Sequence, residues 1–282
     1  MNPSRQKREE VMNSLRTAKI FTLAALLCAG GLLSATEETA AKSPKYEPLA
    51  VANGGTVRGK VTWSGPQPAL DPFPINKNPE FCDLDKTGKR KSVRLMVGKD
   101  GGVKNAVVYL AGITKGKPLD KTGPYLLNQK GCDYEPHILV VPKKAKVSLK
   151  SSDDILHNMH MFGAATYNLP FPDPTSIAKA MRKAGVVRVQ CDAGHGWMSA
   201  YLHVVEHPYY AITDENGDFT LADVPPGKYQ VKLWHEHWTV VDTGEKDGVV
   251  SSYIFDEPVE ATQEVEVTGG AGSTINFEMK AN

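Results

Sequence analysis

Hydrophobic residues occur along this chain in short runs, and several of the runs alternate with polar residues. Residues 55–63 and 229–234 show this alternation, which places successive side chains on opposite faces of a β-strand. Turn residues separate the runs, since the chain contains 25 Gly and 19 Pro. The pattern predicts an all-β chain of sandwich or barrel architecture. Further strand-like runs lie at residues 107–110, 137–141, 145–149, 186–189, 201–205, 264–267 and 274–279.

Two segments carry patterns of their own. Residues 173–183 (DPTSIAKAMRK) are the one segment that predicts a helix, and that helix is short. Residues 211–221 predict a hairpin around Asn216-Gly217, because this pair suits a turn with positive φ. The character of the chain changes at residue 207. We therefore expect one β-domain at residues 55–206 and a smaller one at residues 207–282.

The amino terminus has the pattern of an export signal. Within residues 1–35, basic side chains precede an apolar run from residue 20 to residue 35. That run has the length of a signal-peptide core and is short for a membrane span, although an uncleaved anchor is the alternative. Residues 36–54 are small and polar and predict a linker. We expect a protein of the periplasm or cell surface, with no membrane span after cleavage.

The charge balance argues against nucleic acid as a partner. The whole chain has a net charge of +1, and residues 1–35 hold five basic and two acidic side chains, so the exported part has a charge of −2. No basic stripe large enough to neutralise phosphates is present. The sequence also has no Ser-His-Asp order, no pair of catalytic acids and no phosphate-binding loop. We therefore expect a protein that is not an enzyme.

The cysteine count leaves one thiol without an obvious partner. If Cys28 leaves with the signal, Cys82, Cys132 and Cys191 remain. An oxidising compartment favours disulfides, and three cysteines cannot all pair within one chain. Pairing Cys82 with Cys132 leaves Cys191 for another task. The alternative is that Cys191 is itself a half-cystine.

Four potential metal ligands lie in two segments of the first domain. His157 is on a predicted strand, and Cys191, His195 and Met198 follow within one short loop. A thiolate, two imidazoles and a thioether suit copper in both oxidation states. Two His and one Cys then form a trigonal plane, and Met is a long axial ligand. The sequence predicts a site for one copper ion.

Strand geometry selects His157 rather than His160 as the ligand from the first segment. Alternate residues of a strand share a face, so these two histidines point in opposite directions. Asn158, beside His157, is placed to hydrogen-bond the backbone of the cysteine loop and support the ligands. Trp197 lies between two of the ligands, and we expect it to shield the copper or to contact a redox partner.

These residues resemble the cupredoxin family, which includes plastocyanin and azurin. The shared pattern is His-Asn on one strand, then Cys, His and Met in order on a later loop, and the resemblance covers residues 55–206. It implies a Greek-key β-sandwich with His157, Cys191, His195 and Met198 as copper ligands. It also implies that His195 lies exposed and is the electron exit. The loop here has the spacing Cys-x3-His-x2-Met. Its three residues between Cys and His are intermediate, because familiar members of the family have two or four.

Two further resemblances concern the wider chain. The Gln-Lys-Gly-Cys to Pro-His segment at residues 129–137 resembles exported bacterial proteins of the methylamine-utilisation-protein-like group. The segment at residues 213–234 resembles a carboxypeptidase regulatory-like, or collagen-adhesin B-type, domain. It implies a smaller Ig-like or prealbumin-like β-sandwich at the carboxyl end, and it implies fold rather than chemistry.

The sequence as a whole favours a blue-copper electron carrier that cycles between Cu(I) and Cu(II). Its partner is then a redox protein, such as a cytochrome or an oxidase or dehydrogenase. Two alternatives stay open. One is a non-redox module for envelope structure or adhesion, and the other is a protein that stores or delivers copper.

Overall fold

The computed structural model of this chain describes residues 45–246 and 248–281. The predicted signal at residues 1–35 and Cys28 lie outside the described residues, as do residues 36–44 of the predicted linker. In the described part of the chain, the helix α1 (Pro79–Cys82) has four residues, and no helix has the length and hydrophobicity of a membrane span. Almost everything else that is regular is β-structure, and the all-β prediction is confirmed.

The strands are short and follow one another closely. In chain order they are β1 (Glu47–Pro48), β2 (Gly55–Trp63), β3 (Phe73–Pro74), β4 (Lys89–Arg90), β5 (Val107–Ala111), β6 (Lys115–Gly116), β7 (Tyr125–Lys130), β8 (Asp133–Glu135), β9 (Ile138–Pro142), β10 (Lys146–Ser151), β11 (His157–Gly163), β12 (Tyr167–Phe171), β13 (Thr175–Ala180), β14 (Gly185–Gln190), β15 (Ser199–Val205), β16 (Tyr210–Ile212), β17 (Asp218–Val224), β18 (Gly227–His235), β19 (Val240–Lys246), β20 (Val249–Phe255), β21 (Val259–Val267), β22 (Gly272–Thr274) and β23 (Phe277–Met279).

The first sandwich contains the predicted metal ligands. One sheet has the strand order β12-β11-β14-β15-β9, and the other has the order β13-β10-β7-β8. Their inward faces share one core, because alternate residues such as Met159 and Met161 of β11 meet Val147 and Leu149 of β10 in the same buried cluster. This packing holds the starts and ends of β11, β14 and β15 in fixed relation, and the ligands are attached at those points.

The second sandwich is assembled from distant parts of the chain. One sheet has the order β16-β5-β18-β21, and in the other β2 lies between β17 and the parallel strands β22 and β23. Its core includes Val57 and Val61 of β2, both fully buried. The predicted division at residues 206/207 therefore does not follow the sheets. Strands β2 and β5 come from the predicted first domain but find their hydrogen-bonding partners after residue 207.

Two local predictions were wrong. Residues 175–180 form strand β13 instead of a helix, and Ser151 of β10 pairs with Thr175 at one end of the ladder. Backbone hydrogen bonds to β10 override the helical propensity of this short segment. The turn at Asn216-Gly217 exists, and Gly217 has a φ of 78°. Its flanking strands do not form a hairpin, because β16 pairs with β5 and β17 pairs with β2.

The two sandwiches are joined by a small cluster and by a hairpin. Val107 and Trp234 of the second sandwich pack with Ile138 and Tyr201 of the first. The antiparallel pair β19–β20, which connects β18 to β21, reaches the first sandwich, and its Tyr253 packs on Phe73 with ring centroids 4.6 Å apart. Residues of the carboxyl-terminal third therefore lie beside the candidate metal ligands.

Candidate metal centre

Three of the four predicted ligands meet inside the first sandwich. His157 begins β11, Cys191 directly follows β14, and His195 lies on the loop between β14 and β15. The Sγ of Cys191 is 3.8 Å from Nδ1 of His157 and 3.6 Å from Nδ1 of His195, and the two Nδ1 atoms are 3.2 Å apart. All three side chains are buried, and both histidines have no exposed surface.

The spacing of these donor atoms fits one metal ion. A trigonal metal with zinc-like bonds of about 2.0 Å to nitrogen and about 2.3 Å to sulfur needs about 3.5 Å between the nitrogens and about 3.7 Å from nitrogen to sulfur. The tautomers fit as well. His157 Nε2 lies 3.0 Å from Oδ2 of Asp153, and His195 Nε2 lies 3.1 Å from Oδ1 of Asn78. Because both Nε2 atoms donate to oxygens, both Nδ1 lone pairs converge on one point.

Met198 lies on the same loop and is fully buried. Its backbone N–H donates to the carbonyl of His195 at 2.9 Å, which closes a tight turn between the two residues. Met198 and Cys191 also line a small cavity of about 10 Å³, and Arg94 lies on its wall. Met198 and Cys191 thus border the same cavity, and the role of Met198 as the fourth ligand stays a prediction.

Burial sets the protonation of the candidate ligands. Removal from water, followed by the proximity of His157 and Lys77, lowers the pKa of His195 to about 3. Its imidazole is neutral at neutral pH, which is the form that binds metal. Burial raises the pKa of the Cys191 thiol to about 11. The thiol therefore keeps its proton until a cation arrives, and metal binding releases that proton.

The hydrogen bond predicted between Asn158 and the backbone of the cysteine loop is present. Its Oδ1 accepts the backbone N–H of Asp192 at 2.5 Å, and its own backbone N–H points at Sγ of Cys191 at 3.5 Å. One residue of β11 therefore fixes the cysteine loop from two sides. His160 lies on the opposite face of β11, beside Asp192, as strand alternation predicts.

Trp197 is buried and packs its ring edge against His195, with centroids 5.4 Å apart. Its indole N–H donates to the carbonyl of Cys132 at 3.0 Å. The ring therefore lies against one candidate imidazole, and its role as a shield for copper stays a prediction. Cys132 forms a disulfide with Cys82, as predicted, and Cys191 is the free cysteine among residues 45–246 and 248–281.

The predicted exposure of His195 was wrong. Its imidazole is fully buried, and Asn78 covers the Nε2 edge. Gly196 beside it packs against the backbone of Ser251 in the β19–β20 hairpin. Both covering segments lie outside the His-Asn and Cys-x3-His-x2-Met pattern, so the pattern carried no information about them.

Asp153 and Asn78 are site residues that the sequence interpretation missed. Asp153 is buried, and burial by itself raises the pKa of its carboxyl. Hydrogen bonds from His157, Cys132 and Gly131 outweigh that effect and lower the pKa below its ordinary value. A carboxylate next to a ligand histidine is a recurrent support in metal sites, so its position four residues before His157 was a usable signal. Asn78 lies in a Pro-rich loop and gave no signal.

Comparison with protein families supports a β-sandwich in the carboxyl-terminal part. The family model described as BOS complex subunit NOMO1-like, second beta sandwich domain, matches residues 206–253. A search of curated proteins finds no match.

Solved cupredoxin structures resemble part of the chain weakly. An oxidized amicyanin mutant is 19% identical with a TM-score of 0.27, over 30% of this chain and 84% of that one. A purple cupredoxin from Nitrosopumilus maritimus is 18% identical with a TM-score of 0.26, over 29% and 99%. A copper-containing nitrite reductase from Thermus scotoductus SA-01 is 17% identical with a TM-score of 0.28, over 33% and 24%. The case for a metal therefore depends on the donor atoms of the site.

Proposed function

We propose that this protein is an exported mononuclear copper protein that transfers electrons by cycling between Cu(I) and Cu(II). The observation that carries the proposal is the convergence of one thiol and two Nδ1 atoms in a buried space, with both Nε2 atoms committed to other partners. A thiolate and two imidazoles suit copper in both oxidation states. Copper, when bound, supplies the one-electron chemistry.

The protein residues keep the donor atoms in place while the charge of the metal changes. Asn158 fixes the cysteine loop, Asp153 and Asn78 fix the imidazoles, and Trp197 excludes water. A site that is prearranged and dry requires little movement in either oxidation state. Complete burial also favours a carrier over a delivery protein, because delivery requires rapid exchange of the ion.

An electron leaves most directly through His195 and Asn78. Asn78 binds Nε2 of His195 and also lines an open surface groove of about 950 Å³, together with Lys77, Leu156 and Ala193. Leu156 is 53% exposed, which gives the groove an apolar contact. We infer that a redox protein, such as a cytochrome or an oxidase or dehydrogenase, docks there.

The rest of the chain supports the same assignment. The apolar run within residues 1–35 directs export to the periplasm or cell surface. The segment at residues 129–137 resembles exported proteins of the methylamine-utilisation-protein-like group. Residues 207–282, which contain the segment that resembles a carboxypeptidase regulatory-like domain, supply part of the second sandwich and the hairpin that covers the ligand loop.

The test is the visible spectrum of residues 36–282 with added Cu(II). We expect an intense thiolate-to-copper band that disappears in Cys191→Ser and changes strongly in His157→Ala. His160→Ala is the matched control, because His160 is on the same strand but faces away, and it leaves the band unchanged. A colourless protein rejects the proposal, as does a band that survives Cys191→Ser. Reversible voltammetry then separates a carrier from a storage or delivery protein.

A further inference from the structure

The far side of each candidate imidazole is held by a residue attached to one half of the disulfide. Asp153 accepts from Nε2 of His157, and Asn78 accepts from Nε2 of His195. These two acceptors come from segments 75 residues apart in sequence. What brings them to opposite sides of one site is therefore a tertiary contact.

Asp153 is held by the backbone on the Cys132 side. Its Oδ1 accepts the N–H of Gly131 at 2.7 Å, and its Oδ2 accepts the N–H of Cys132 at 2.8 Å. The carbonyl of the same Cys132 accepts the indole N–H of Trp197. The backbone N–H and the carbonyl of Cys132 therefore both bond residues of the site. The N–H bonds Asp153, which supports His157, and the carbonyl bonds Trp197, which is on the loop that carries His195.

Asn78 is held on the Cys82 side. It precedes α1, and its carbonyl accepts the backbone N–H groups of Phe81 and Cys82 at 3.0 Å and 2.9 Å. Cys82 is then bonded to Cys132. The connections form a closed circuit around the site, from His157 through Asp153 to Cys132, across the disulfide to Cys82, and through Asn78 to His195.

We propose that the Cys82–Cys132 disulfide, with Asp153 and Asn78 as positioning residues, forms a clamp that aims both Nδ1 atoms at one point. The purpose of this clamp rests on the proposed copper site, but its geometry exists in the metal-free protein.

The first test therefore uses metal-free protein and ¹⁵N–¹H correlation spectra of the imidazoles. In the wild type, we expect both His157 and His195 to carry the proton on Nε2, because each Nε2 faces an acceptor oxygen. We expect Asp153→Ala to abolish the fixed tautomer of His157 and to leave that of His195 in place. Asp154→Ala is the matched control, because Asp154 is the next residue and is exposed.

Asn78→Gly tests the other arm. Asn78 has a φ of 47°, a left-handed conformation that glycine adopts freely, so this variant removes the amide with little backbone strain. We expect it to release the tautomer of His195 alone. Asn105→Gly repeats the substitution at a φ of 66° away from the site and serves as the control. The double variant Cys82→Ser/Cys132→Ser, which removes the covalent link, releases both imidazoles.

The second test measures Cu(II) affinity of the same variants. Loss of a support behind a ligand histidine weakens metal binding about 10–100-fold, and we expect this for Asp153→Ala, Asn78→Gly and the double serine variant, with a shift of the charge-transfer band. Wild-type tautomers and wild-type affinity in these variants overturn the clamp. If the tautomers change as expected but the wild type binds no copper, the clamp stands and the proposed function fails. If Asp153→Ala does not fold, Asp153→Asn, which keeps the size of the side chain, replaces it.

Discussion

Gly196 lies so close to Ser251 that a Cβ added to the glycine would be 2.7 Å from the Ser251 carbonyl oxygen. The contact joins the loop carrying His195 to the β19–β20 hairpin. Gly196→Ala therefore forces backbone to move, and we expect a loss of about 1–3 kcal/mol in the free energy of unfolding. Urea titration measures the loss, and the charge-transfer band of the copper-loaded variant reports whether the ligand loop has shifted.

The matched control for that variant is Gly272→Ala. Gly272 has no heavy atom within 4 Å of its added Cβ, so the same methyl group costs little there. Equal unfolding curves for the two variants contradict the conclusion that the hairpin presses on the ligand loop.

A second prediction concerns the ion pair between Arg94 and Glu236, whose side chains are each 2% exposed and whose closest atoms are 2.7 Å apart. Burial alone raises the pKa of Glu236, but His137 and Arg94 outweigh it and lower the pKa, so the carboxylate is charged. Glu236→Ala leaves Arg94 buried without its counter-charge. We expect a loss of about 3–5 kcal/mol in the free energy of unfolding, measured in urea.

The exposed pair of Lys228 and Glu266, with atoms 3.8 Å apart, is the comparison for this effect. Glu266→Ala is expected to cost at most about 1 kcal/mol, because solvent screens the pair. A similar cost for the two substitutions is the result that contradicts a special role for burial at Glu236.

Acid sensitivity is expected to arise in part from His203. This side chain is 4% exposed and packs edge-on against Trp234, and burial lowers its pKa from 6.5 to about 4. Between those two values the unfolded chain binds a proton that the folded chain does not. The free energy of unfolding therefore falls as the pH drops from 6.5 towards 4, and this loss is complete below the folded pKa.

The variant His203→Leu removes this contribution. In metal-free protein, we expect the slope of unfolding free energy against pH to decrease by up to about 1.4 kcal/mol per pH unit between pH 4 and 6.5. Urea titrations at several pH values measure the slope. A slope equal to that of the wild type shows that His203 is not the group responsible.

Copper is expected to stabilise the fold, because the unfolded chain does not hold the three donors together. At a free Cu(II) concentration about 100 times the dissociation constant, the free energy of unfolding rises by about 2.7 kcal/mol. A chelator reverses the effect, and Cys191→Ser abolishes it. An equal copper effect on the Cys191→Ser protein indicates binding elsewhere.

The features that local sequence reveals were predicted well. Alternation gave the bounds of β2 at residues 55 and 63, and it placed His157 and His160 on opposite faces of β11. The donor types at His157, Cys191 and His195 identified three side chains that do meet. Each of these signals lies within a few residues of chain.

Features that depend on distant residues were missed. The pairing of Thr62 with Glu278 leaves no trace in either segment, so the composition of the second sandwich was not visible. The cover over His195 comes from Asn78 and from the hairpin at Ser251, which are remote in sequence from the ligand loop. Asp153 is different, since it is close to His157 and was overlooked rather than hidden.

The hydrogen-bonding partners of β2 show what a cut of the chain at the predicted domain boundary would do. Strand β17 borders one edge of β2, while β22 and β23 border the other, and all three belong to the last quarter of the chain. Cutting after residue 206 strips both edges of β2 and exposes Val57 and Val61 to water. A fragment that ends at residue 206 therefore keeps β2 and β5 without the strands that complete their sheets. No single cut in the chain separates the two sandwiches, because the second one is closed by strands from both sides of the first in sequence.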